Sequence, residues 1–248
     1  MADGTVSKWN AKRGAMLGAQ ALAYVLLLAV GAVWGLGPSG VGDSPLMPVL
    51  TLLVMAAVLI AFHVCWPFRA TLIDRAIGLI AGALSLAAAA VQVYGVYVPD
   101  DTADDQLLAG TYPLARWAAA VAGLLVVLTI VSFARQMLRK ERSHLIRALS
   151  HCVTGGAASI SLAGWFFIPY VTAGVSAGFT AEFGIIVAGI IAAMVVFAVV
   201  LAVSSSWWLR ELDAAPDARA PWLGVAMLPV MFFGLVVFAA ALLLQILA

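Results

Sequence analysis

The sequence predicts an all-α fold: a polytopic membrane helix bundle of about seven transmembrane helices, N-terminus cytoplasmic and C-terminus extracytoplasmic. Three observations carry this expectation. Of the 248 residues, 65% are hydrophobic and only 10% are charged, with a mean hydropathy of +1.09. Soluble domains carry about 25% charged residues, so a chain this apolar lacks the polar side chains to cover a water-facing surface. The apolar residues fall in runs of about 20, the length at which a helix spans a ~30 Å hydrocarbon core. The basic residues cluster in alternate connections between those runs. Strand-type alternation is absent, which argues against a β-barrel.

The first run, Gly14–Leu36, follows Lys8, Lys12 and Arg13. It is longer than the roughly 7–15 residues of a signal h-region, and no clear small-x-small cleavage site follows, so it reads as a retained signal anchor. The second, Leu46–Phe68, closes on "AFHVCWPF"; Arg69 and Arg75 then precede the third, Ala76–Val98. The acidic loop "PDDTADDQ" leads to the fourth, Ala115–Phe133.

Residues 134–151 form the longest basic connection, with Arg135, Arg139, Lys140, Arg142 and Arg147. From Arg135 on they contain no Gly or Pro, so the fourth helix is expected to continue through them. Leu138, Leu145 and Leu149 give an apolar stripe at helical spacing, opposite the basic face. Such a segment lies on an anionic leaflet, where each basic residue contributes about 1 kcal/mol, or docks a partner protein. Gly155-Gly156 is expected to break it at the start of the fifth run, Cys152–Ala173. The sixth, Phe183–Trp207, and the seventh, Leu223–Leu247, flank Arg210 and Arg219. The whole chain, 1–248, reads as a single integral membrane domain.

This count places 12 of the 13 basic residues on one side, which the positive-inside rule assigns to the cytoplasm. Arg116 alone falls outside. A missing or extra span would put the downstream charges on the wrong side. Seven of the eight Trp fall near span ends, as in an interfacial aromatic belt; Trp165 lies deeper. Small residues recur four apart at Gly14/Gly18, Gly78/Gly82 and Gly155/Ser159/Ala163. Ridges of this kind let helices approach closely in lipid, within the monomer in preference to a dimer seam. The Ala/Val/Leu-rich composition points to a GC-rich bacterial source and an inner (plasma) membrane location.

The chemistry available is sparse. No Asp, Glu, Lys or Arg lies near a span centre, where an ion-coupled carrier keeps its charge partner. There is no phosphate-binding Gly loop, H-E-x-x-H, G-x-S-x-G or pair of intramembrane carboxylates. The net charge of +1 gives no field for nucleic acid. In "GWFFIPY", Pro169 removes a backbone hydrogen bond and is expected to kink the fifth helix beside Trp165, Phe166 and Tyr170. With Gln92 and Arg116, the residues Trp165, Pro169 and Tyr170 outline a path for a neutral or lipidic solute.

His63, Cys65, His151 and Cys152 all fall at the cytoplasmic ends of their spans. Two His and two Cys are a full ligand set for zinc, and two His could ligate haem iron. Residues two apart on a helix differ by about 200° in direction, so His63 and Cys65 face one ion only if the helix unwinds. Satisfied interfacial His and packing Cys are the expected alternative, with no cofactor. Two functional classes lead: a non-catalytic membrane subunit or scaffold with a complex partner or in a homo-oligomer, and a permease or flippase-like transporter. A haem- or metal-binding redox protein comes third.

Overall fold

The computed structural model describes residues 11–35, 46–69, 71–95, 112–138, 145–176, 181–210, 212, 214 and 218–247. Among these there are helices and connections and no strands. The helices are α1 (Arg13–Gly35), α2 (Leu46–Val64), α3 (Leu72–Gly95), α4 (Tyr112–Met137) and α5 (Leu145–Ser161). A 3-10 segment (Leu162–Phe167) joins α5 to α6 (Ile168–Ser176), and α7 (Ala181–Arg210) and α8 (Pro221–Leu247) follow. Among the described residues, six stretches are long and apolar enough to cross a membrane: one each in α1, α3, α4, α7 and α8, and the continuous rod Leu145–Thr172. The apolar part of α2, Pro48–Val64, is shorter.

The rod of α5, the 3-10 segment and α6 stands at the centre. Its membrane window is 83% buried, against 6% for that of α7. It packs against α3, α4 and α8, and α8 in turn touches α1, α2 and α7. The close packing is steric in origin. A Cβ on Gly155 would meet the Trp66 indole, 2.9 Å from its Cζ2, and one on Gly156 would stand 2.6 Å from Leu128 Cδ1. The expected helix break at Gly155-Gly156 is therefore corrected: α5 runs through both. Lipid offers the backbone no alternative hydrogen-bond partner, so the usual cost of glycine in a helix is offset by close approach.

Two further expectations change. The fifth helix begins at Leu145, within the basic segment, and α4 ends at Met137 with Leu138 in a turn. Arg139, Lys140 and Arg142 lie outside the described residues. Nor do the tryptophans form a uniform belt: Trp66 and Trp117 are fully buried, whereas Trp207 is 60% exposed. Nearness to a span end in sequence does not say which face of the helix carries the ring. Of the small-residue pairs, Gly78/Gly82 and Gly155/Ser159/Ala163 do pack inside: a Cβ at Gly82 would lie 2.8 Å from Ser159 Cβ. Gly14 and Gly18 instead face outward, with nothing within 4 Å of a Cβ at either.

Candidate functional site

Among the described residues, a cluster of polar groups lies where the start of α3 meets α4 and α5. Thr71 caps α3. Asp74 N–H donates to Thr71 Oγ1 at 3.3 Å, and Asp74 Oδ2 accepts from Thr71 N–H at 3.0 Å and from its hydroxyl at 2.8 Å. This is a reciprocal capping box, legible in "TLID" as T-x-x-D, though hydropathy drew no attention to it. Asp74 is 2% exposed, and its Oδ1 accepts from Gln136 Nε2 of α4 at 3.4 Å. Ser132 and Cys152 hydrogen-bond at 3.2 Å, and the Cys152 thiol reaches the Asp74 carbonyl at 3.8 Å. The cap of one helix thereby clasps α3, α4 and α5 together. Cys152 is a member of that clasp as well as a packing residue.

His63 and Cys65 part company. His63 Nδ1 lies 2.9 Å from the Leu59 carbonyl one turn back, which makes Nδ1–H the donor. Gly78 of α3 leaves room for the imidazole: a Cβ there would stand 3.2 Å from Nε2. Cys65 is buried just after α2, where its carbonyl meets Gly224 of α8 so closely that a Cβ has no room. His151 stacks on Phe68, ring centroids 4.9 Å apart and 21° between planes. From His63 through Trp66 and Phe68 to His151 the rings follow one another at 5.2, 5.7 and 4.9 Å. The two histidines thus end an aromatic chain. Among the described residues no three or more His, Cys, Asp or Glu side chains come together as a metal would need, and the four sequence candidates do not converge as one ligand set.

Beside that chain a cavity of about 380 Å³ opens between the α2–α3 connection, α5, the end of α7 and α8. Arg147, His151 and Thr154 of α5 line it, together with Phe68, Trp208 and Leu228 among others. The sequence singled out Arg147 and His151 for separate reasons, one as a basic surface residue and one as a ligand. Their spacing of four puts both on one helix face. Arg135 is half-buried in the last turn of α4.

The other sequence-picked group lies at the centre. Pro169 has no N–H for the Trp165 carbonyl four residues back, and Ile168 N–H bonds that carbonyl instead, so the turn tightens to 3-10. Where a kink is expected at Pro169, the described feature is this 3-10 segment just ahead of it. Trp165 is fully buried and donates Nε1–H to the Val230 carbonyl at 2.8 Å. Tyr24 donates to the Pro229 carbonyl at 3.2 Å and meets Phe233 edge-on at 5.2 Å. Behind them Gly164 and Gly234 bring the two backbones into direct contact: a Cβ on Gly164 would run into the Gly234 carbonyl, and one on Gly234 into that of Ser161. Trp165 and Pro169 are thus packed, Tyr170 is half-buried, and Arg116 is exposed at the start of α4. The Gln92 side chain lies outside the described residues. No protein-family model, curated protein or solved structure matches this chain.

Proposed function

We propose that the protein is a non-catalytic membrane subunit or scaffold, with α7 as the helix it offers to a partner's transmembrane helix. The observation that carries this is the position and profile of α7. Only 6% of its membrane window is buried, and it packs chiefly on α8. Lipid covers an apolar helix as well as a neighbouring helix does, so exposure by itself decides nothing. The steric profile does: Gly189 and Ala193 lie on the exposed face, with open space around a Cβ at Gly189. A small-xxx-small pair there lets a second helix approach closely, as Gly78 and Gly82 already do inside the bundle.

In this reading α2 also crosses. Its 17 apolar residues, Pro48–Val64, rise about 26 Å at 1.5 Å per residue, near the lower limit for a span. Seven crossings place the N-terminus in the cytoplasm of a bacterial cell and the C-terminus outside. Cysteine placed at Ser150 should then be labelled from the cytoplasmic face only.

The test is purification in a mild detergent, comparing wild type with Gly189→Leu and Gly123→Leu. Gly123 also has nothing within 4 Å, so it controls for an outward leucine elsewhere. Loss of a stoichiometric partner, or of a homo-oligomer, in Gly189→Leu alone supports the proposal. A wild-type protein that elutes alone and monomeric from native-lipid discs overturns it.

A second reading, a permease or flippase-like carrier, draws on the 3-10 break in the central rod packing against α8, which carries Pro229 within it. Irregular helices paired near mid-membrane are how many carriers build their sites. Solute uptake into proteoliposomes that falls in Pro169→Ala would favour it.

A further inference from the structure

We propose that the cavity beside His151 is a binding site for one anionic phospholipid of the surrounding leaflet, phosphate end toward Arg147 and glycerol end toward Thr154. Its volume of about 380 Å³ lies within the ~300–1,000 Å³ typical of small-ligand sites. Its chemistry is graded along α5. Arg147, His151 and Thr154 lie at i, i+4 and i+7, on one face and spread over about 10 Å of helix. The cationic member stands nearest the start of the helix, at the basic end of the bundle, and the hydroxyl lies deeper. The rest of the lining is aromatic and aliphatic and includes Phe68, Trp208 and Leu228. A ligand that fits has an anionic head, a hydrogen-bonding neck and an apolar tail, in that order.

Free phosphate would use only the Arg147 end and leave the apolar wall wet. A phospholipid meets all three requirements, and basic recesses between helices at a membrane surface recognise such head groups. Phe68 contributes by stacking on His151, which holds the imidazole against the cavity wall.

The site is tested on delipidated full-length protein in neutral detergent by thermal unfolding. The probes are short-chain phosphatidylglycerol, phosphatidylcholine of the same chain length, and inorganic phosphate. Saturable stabilisation is expected from phosphatidylglycerol alone. Arg147→Gln, at an exposed residue, should weaken its apparent affinity about tenfold through loss of a charge-assisted hydrogen bond. Arg210→Gln, a basic residue at the end of α7 that does not line the cavity, should leave the affinity unchanged. Equal stabilisation by inorganic phosphate would show a simple anion site and overturn the lipid assignment. An unaltered response in Arg147→Gln, an equal loss in Arg210→Gln, an equal response to phosphatidylcholine, or no response to any probe would each overturn it as well.

Discussion

Replacing Gly164 by alanine puts one methyl group where the 3-10 segment crosses α8. The added Cβ would run into the Gly234 carbonyl and lie only 3.1 Å from Gly234 Cα. Both are backbone atoms, so no side chain can turn aside. The two rods have to part by about 1 Å, and a gap of that size forfeits a quarter to a half of the dispersion energy at each contact. Overpacking of this kind costs about 1–3 kcal/mol. Parting the rods also stretches the 2.8 Å bond from Trp165 Nε1 to the Val230 carbonyl. An interhelical hydrogen bond in a membrane contributes about 0.6 kcal/mol, up to ~1.7. Together the loss should be about 2–4 kcal/mol. Reversible unfolding of the purified protein, followed by the fluorescence of buried Trp165 and its neighbours, measures it. Gly123→Ala is the control: open space surrounds that position, and alanine should be neutral or stabilise the helix by up to ~1 kcal/mol. A Gly164→Ala protein as stable as its Gly123→Ala counterpart would refute the close crossing of the two rods.

Other outcomes follow from the caps and connections. Thr71→Ala removes the side-chain half of the α3 capping box and should destabilise by about 1 kcal/mol in the same unfolding experiment. Asp74→Leu should cost more, because it strips Thr71 and Gln136 of their acceptor at a buried position. Ala220, ahead of Pro221, holds φ at 43°, a conformation glycine adopts without a Cβ penalty. Ala220→Gly should therefore be stabilising by a few tenths to about 1 kcal/mol despite the greater freedom of the unfolded chain, and a loss of stability would count against that backbone.

The four His and Cys residues show what a short motif leaves open in a membrane protein. Their common depth was legible, because depth follows from counting along each span. Their neighbours were not. His63 turns to a carbonyl of its own helix, Cys152 joins the Asp74 clasp, and Trp66 and Phe68 form the aromatic link between the two imidazoles. Residues such as Trp66 looked like interfacial anchors for the same reason: a linear count gives level, not azimuth. The capping box at Thr71 and Asp74 is written in the sequence as T-x-x-D, but it falls at a span edge, where hydropathy is uninformative.

The sequence by itself determined the helical class, and it gave grounds to expect a shared level for the basic residues and an irregularity at Pro169. Each depends on local chemistry: the length of apolar run a bilayer requires, the placement of charges in connections, and a missing N–H four residues from its acceptor. Which helix stands at the centre was decided only in three dimensions. The most apolar span, α7, is the most exposed, and the least apolar, the rod through α5 and α6, is the most buried. In water such an order would be inverted. In lipid the outside is as apolar as the inside, so apolar character says nothing about burial, and the central position goes to the helix whose small residues allow the others closest.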